Sequence, residues 1–96
     1  MIVSFGDRST EDLYHGRAST SVLRIPAEVA RAATVKMDVL NGAAVMIDLR
    51  SPPGNRLEAL KGDLKGFHSI RVNDHWRLVF RWHGNDVHQV RLVDYH

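Results

Sequence analysis

The sequence predicts an α+β domain, helical in its first half and strand-rich in its second. Two patterns predict it. After Pro26 the residues Val29, Ala33, Met37 and Leu40 fall at i, i+4, i+8 and i+11, one apolar stripe of a 3.6-residue helix. From Phe67 onward, "FHSIRV", "WRLVFRW" and "DVHQVRLV" alternate apolar and polar residues with the period of half-buried strands. No repeat, low-complexity tract or linker interrupts the 96 residues, so residues 1–96 are read as a single domain.

In chain order, "MIVSF" reads as a short first strand. "STEDLYHG" predicts a short helix with Ser9 or Thr10 as N-cap and Gly16 as stop. A longer helix starts from Pro26, a residue tolerated at a first helical position, and ends at Asn41-Gly42. "AAVMIDL" predicts a third, short helix. "SPPGN" (51–55) is an irregular loop, because two prolines and a glycine exclude helix and central strand. "RLEAL" reads as a short strand and "KGDLKG" as another loop before the three alternating strands.

Composition narrows the function classes. There is no cysteine, hence no disulfide framework, which fits a reducing compartment. No apolar run approaches the ~20 residues of a membrane span, and "MIVSFGDRST" lacks the basic and apolar regions of a secretory signal. A soluble cytoplasmic protein with no membrane partner is expected. The formal charge is only +2, but residues 1–49 carry five Lys/Arg against six Asp/Glu, and residues 50–96 eight against five. The second half is the basic half, which makes a polyanion such as RNA a plausible partner.

Register follows from burial. A three-residue loop of Asn73, Asp74 and His75 pairs Val72 with Trp76 and Ile70 with Leu78, gathering the large apolar residues on one face. A two-residue turn would send Arg77 into the core. For the last hairpin the same reasoning places "HGN" between Trp82 and Asp86, pairing Leu78 with Val90 and Trp76 with Leu92. On the opposite face this sets Arg71 across from Arg77, and Arg77 across from Arg91. Like charges directly across strands destabilise a sheet. Splayed into solvent, the three are an ordinary charged surface; gathered, they are an anion site, since guanidinium stays charged and binds phosphate through a bidentate fork. By the same parity Tyr95 continues this face.

The ordered set "LKGD" (60–63), "G-x-x-S-I-R-V" (66–72), "W-R-L-x-F-x-W" (76–82) and terminal "DYH" (94–96) resembles the RelE/ParE toxin superfamily, and more narrowly the HigB branch of bacterial type II toxin–antitoxin systems. The resemblance covers essentially the whole chain. It implies a RelE-like fold, a mainly antiparallel twisted sheet with two to three helices packed on one face. It also implies a metal-independent endoribonuclease that cuts messenger RNA in the ribosomal A site, held inactive by a HigA-like helix-turn-helix antitoxin. Carried over by position, it supplies Lys61, Arg71, Arg77, Asp94, Tyr95 and His96. The chain departs from some members of the branch at Glu58, where they have histidine and others of the superfamily have a glutamate general base.

Metal-free cleavage by 2′-OH attack needs a base, an acid for the 5′ oxygen, and positive charge for the phosphorane. Glu58 is the candidate base and His96 the candidate acid, with Arg71, Arg77 and Lys61 holding the charge. Tyr95 is expected to stack on a base or bond a phosphate oxygen. Arg56, Lys65, Arg81, Arg91 and Asp94 are the remaining candidates for RNA contact, Asp94 as an orienting group. His15, His68, His75, His83 and His88 lack a recognisable metal spacing, so no metal or cofactor is expected. His68 falls on the apolar face and reads as structural. Two other functions share these residues: a ParE-like toxin that binds DNA gyrase and cleaves nothing, and an RNA-binding domain that only uses the basic face.

Overall fold

The computed structural model describes residues 1–95. Its sheet consists of β1 (Glu58–Ala59), β2 (Phe67–Arg71), β3 (Trp76–His83) and β4 (Asp86–Asp94), paired antiparallel in that order. Three α-helices precede it among the described residues: α1 (Arg8–Tyr14), α2 (Thr20–Leu23) and α3 (Ala27–Gly42). The chain therefore has the α+β order read from its sequence, with α3 packed on β3 and β4.

The long helix forms where alanine is dense and begins at Ala27, with Pro26 as N-cap rather than first helical residue. Its buried residues are Val29, Ala33, Met37 and Leu40, the predicted stripe. Of these, Ala33, Met37 and Leu40 meet Ile70, Leu78, Phe80, Val87 and Val90 from the inner face of the sheet. His68 lies on this face and stacks against Phe80 at 6.3 Å between ring centroids.

Several local expectations are corrected. The N-cap of α1 is Asp7, whose Oδ1 accepts the Thr10 N–H at 2.8 Å. Neither Ser9 nor Thr10 caps the helix; the Thr10 hydroxyl instead accepts the Leu92 N–H at 2.9 Å, joining α1 to β4. "MIVSF" makes only two isolated parallel bridges, Ile2 with Val87 and Phe5 with Val90. The one-turn helix α2, capped by Ser19, has no counterpart in the sequence reading. "AAVMIDL" gives a 3-10 turn over Met46–Arg50, because Asp48 Oδ2 folds back to accept the N–H groups of Ala44 and Val45. Pro53–Asn55 is a further 3-10 turn within the expected loop. Its fully buried Asn55 donates to the carbonyls of Leu49 and Ser51, both at 3.2 Å, and accepts from Lys36 of α3.

The β2–β3 register is as predicted, with Ile70 opposite Leu78 and Arg71 opposite Arg77. Asn73 shapes the loop by accepting the N–H groups of His75 and Trp76 on its Oδ1, each at 2.9 Å. The β3–β4 register is not. His83 pairs with Asp86 around a two-residue Gly84-Asn85 turn, and Trp82 pairs with Val87. A bulge at Gln89 (φ +55°) then shifts the ladder, so Leu78 pairs with Leu92, Trp76 with Asp94, and Arg77 with Val93. The cause is burial. Strict alternation cannot place Val87, Val90 and Leu92 on one face, and one inserted residue does so. Arg91 consequently stands opposite Val79 rather than Arg77.

The first six residues lie along β4. The Val87 N–H donates to the Met1 carbonyl (2.9 Å) and the Val90 N–H to the Ser4 carbonyl (3.2 Å). The Gln89 N–H, freed by the bulge, is taken by the Ser4 hydroxyl at 2.9 Å.

Candidate active site

The outer face of the sheet carries Glu58, Ser69, Arg71, Arg77, Val79, Arg81, Arg91 and Val93, as strand alternation requires from the observed pairs. Arg71 and Arg77 face one another directly, and each is compensated by an acid. Arg71 is ion-paired with Asp74 of the loop that follows it. Arg77 lies 3.3 Å from Glu58 and donates at 2.8 Å to the carbonyl of Arg56.

That carbonyl is aimed by backbone. Arg56 adopts a left-handed conformation (φ 46°, ψ 57°), which costs on the order of 1–3 kcal/mol in a non-glycine residue. A hydrogen bond from a charged donor is worth about as much, so Arg77 and the Arg56 turn support each other. The result is asymmetric: the Arg77 side chain is 13 % exposed while that of Glu58 is 54 % exposed. The guanidinium is fixed and the carboxylate remains reachable.

A cleft of about 290 Å³ opens here, lined by Arg56, Arg71, Asn73, Asp74, Arg77 and Tyr95. Tyr95 reaches it because its N–H donates to the His75 carbonyl, which draws the chain past β4 toward the β2–β3 loop. The structure thus gathers Arg56, Arg71, Arg77 and Tyr95 around the cleft, with Glu58 outside its lining and joined to it through the ion pair with Arg77.

The other sequence candidates lie elsewhere. Lys61 and Lys65 flank the 3-10 turn Gly62–Leu64, both exposed, beyond the end of β1 and outside the cleft lining. Asp94 pairs with Trp76 and so takes the opposite face from Tyr95. Arg81 and Arg91 sit on the outer face but at its other end, beside Phe67. His96 lies outside the described residues.

Sequence reasoning missed three contributions: the Arg56 carbonyl, the cleft walls Asn73 and Asp74, and Ser69. Alternation does place Ser69 on this face with Arg71, but nothing in the sequence gives it a role there. Its Oγ and Arg77 Nε are buried with no hydrogen-bond partner among the described residues.

The arrangement can bind an anion and present a carboxylate beside it, and the fold that carries it has known counterparts. A chain of a heterotetrameric YoeB–YefM toxin–antitoxin complex from Staphylococcus aureus superposes with a TM-score of 0.60 at 17 % identity, over 100 % of this chain and 98 % of that one. A YoeB/ParE toxin from Agrobacterium tumefaciens gives a TM-score of 0.50 at 24 % identity, over 97 % and 99 %. These likenesses show the fold alone: an α+β fold shared with YoeB and ParE toxins.

Sequence narrows it. Residues 3–96 match the HigB-like toxins, described as the RelE-like toxin of the type II toxin–antitoxin system HigB, and the chain belongs to that family. It is 42 % identical over 82 residues to Toxin HigB-1 of Vibrio cholerae serotype O1, covering 85 % of this chain and 84 % of that protein. It is also 39 % identical over 41 residues to Endoribonuclease HigB of Proteus vulgaris, covering 43 % and 45 %. No helix among the described residues is long and apolar enough to cross a membrane.

Proposed function

We propose that this toxin is a metal-independent endoribonuclease that cuts messenger RNA in the ribosomal A site and so stops translation in the cytoplasm. The observation that carries the reading is the exposed Glu58 carboxylate held 3.3 Å from a largely covered arginine, with a second arginine directly across the ladder. A protein that only binds RNA has use for the cations but none for an exposed carboxylate beside them.

In this mechanism Glu58 accepts the proton of a 2′-OH, and the 2′ oxygen forms a bond to the adjacent phosphorus. The P–O5′ bond breaks, with His96 supplying the proton to the departing oxygen. A 2′,3′-cyclic phosphate and a 5′-hydroxyl remain. Arg71 and Arg77 hold the charge that builds on the non-bridging oxygens; loss of one such preorganised donor typically costs about 100- to 1000-fold in rate. Tyr95 stacks on a base at the cleft mouth. Lys61 acts from the solvent side, and Arg56, Lys65, Arg81 and Arg91 contribute to the field that retains RNA. Asp94 orients the chain end. Positioning by the ribosome supplies several kcal/mol of the barrier, on the order of what orientation contributes generally, so naked RNA reacts poorly. A HigA-like helix-turn-helix antitoxin is the partner that keeps the toxin silent.

The test is mapping of RNA 5′ ends after adding purified protein to ribosomes stalled on a defined message, with naked message, Glu58→Gln and His96→Gln alongside. Cuts confined to the A-site codon and lost in either variant are expected. Cuts that survive one substitution would reassign that role. An absence of cuts on ribosomes would return the protein to a gyrase-binding or RNA-binding function.

A further inference from the structure

Away from the cleft, the outer face carries a second pair of arginines built on an aromatic ring. The guanidinium carbon of Arg81 lies 5.3 Å from the Phe67 ring centroid and that of Arg91 lies 6.0 Å from it. Both are within the range in which a ring attracts a cation. Phe67 is paired with Arg81 across β2 and β3, whereas Arg91 reaches the ring only because the Gln89 bulge moves it away from Arg77.

Arg91 is also held from behind. A Cβ at Gly6 would fall 2.3 Å from Arg91 Cγ, 2.6 Å from Cδ and 2.9 Å from the Gln89 carbonyl oxygen. Only glycine lets the arginine stem pass between the N-terminal segment and the ring. The contrast with the cleft is one of charge. Arg71 and Arg77 each have a carboxylate partner, and among the described residues neither Arg81 nor Arg91 has one. Two guanidiniums drawn to one ring with no carboxylate partner among the described residues repel each other, and a bound anion offsets that repulsion.

We propose that Arg81 and Arg91, gathered by Phe67 and clamped by Gly6, form a second subsite for a backbone phosphate of the same RNA strand; this rests on the reading of the cleft as an RNA-cleaving site. Phe67 lies four residues from Arg71 along β2, roughly 13 Å at the usual rise per strand residue. A single strand lying across the sheet with its scissile phosphate at Arg71 and Arg77 reaches this pair within a few nucleotides. The subsite therefore makes affinity depend on the length of the strand, not its sequence.

The experiment is fluorescence-anisotropy titration with uncleavable 2′-O-methyl RNA, a trinucleotide and an octanucleotide, across a salt series. Arg81→Gln/Arg91→Gln is expected to weaken the octanucleotide about tenfold or more, the worth of a charge-assisted hydrogen bond, and to leave the trinucleotide unchanged. The slope of log K against log salt should fall by roughly 0.7 for each phosphate no longer neutralised. Gly6→Ala, which keeps every charge, should produce the same selective loss. Arg24→Gln/Arg31→Gln, which removes equal charge from the helical side, should not. Equal losses for both lengths, or an equal loss from the helical-side control, would overturn the subsite. Selective loss together with absent ribosomal cleavage would overturn the nuclease and keep the subsite.

Discussion

Glu58 and Arg77 meet at 3.3 Å although they belong to strands that are not neighbours. The pair passes over β2, where the residue beside it is Ser69, opposite both Glu58 and Val79. A small side chain there is what lets the two charges touch.

Ser69 is fully buried and its hydroxyl has no hydrogen-bond partner among the described residues. Replacing an unsatisfied polar group by an apolar one of similar size is close to neutral or stabilising. Ser69→Ala should therefore keep both the thermal midpoint and ribosomal cleavage, while Ser69→Leu should push Glu58 and Arg77 apart and lower cleavage by about 100-fold or more, as for loss of one preorganised group. Cleavage rates and melting curves for the two variants check this. A large loss in Ser69→Ala would mean that the hydroxyl itself acts.

The bulge makes a prediction of sign. A β-branched residue at positive φ is strongly disfavoured, by about 1–2 kcal/mol, so Gln89→Val should destabilise and Gln89→Gly should not. In a regular strand the order would be reversed, because valine favours strands and glycine weakens them. Chemical denaturation of the two variants decides between the registers.

Thr10 is 1 % exposed and its hydroxyl satisfies the Leu92 N–H. Thr10→Val keeps the shape and removes the acceptor, at a cost of about 1–3 kcal/mol for the group left unpaired. At roughly 4–8 °C per kcal/mol in a domain of this size, the midpoint should fall measurably. Thr10→Ser should restore most of it.

What is legible in the sequence, and what is hidden, follows from the range of each interaction. The helical stripe from Val29 to Leu40 and the facing of Arg71 and Arg77 depend on periodicity and one loop length, and both are readable. Alternation misplaces Arg91 because a bulge is one residue in an unusual conformation, and glutamine does not advertise it. Asp7 is hidden as a cap because it stands close to two other good candidates, and the choice is made by Leu92, eighty-two residues from Thr10. The support for Arg77 comes from the carbonyl of Arg56, an atom every residue possesses. Phe67 reads as a strand residue without a role, since a ring gains one only from the arginines that tertiary structure brings over it.

The N-terminal segment has one more effect. The outward N–H groups of Val87, Gln89, Val90 and Leu92 are taken by the Met1 carbonyl, the Ser4 hydroxyl, the Ser4 carbonyl and the Thr10 hydroxyl. At the opposite border of the sheet, β1 is only two residues long. Unsatisfied sheet borders are where foreign strands add by main-chain pairing, and along β4 that border is already occupied from within the chain. A strand added at the β4 border would first have to displace the chain's own N-terminal segment.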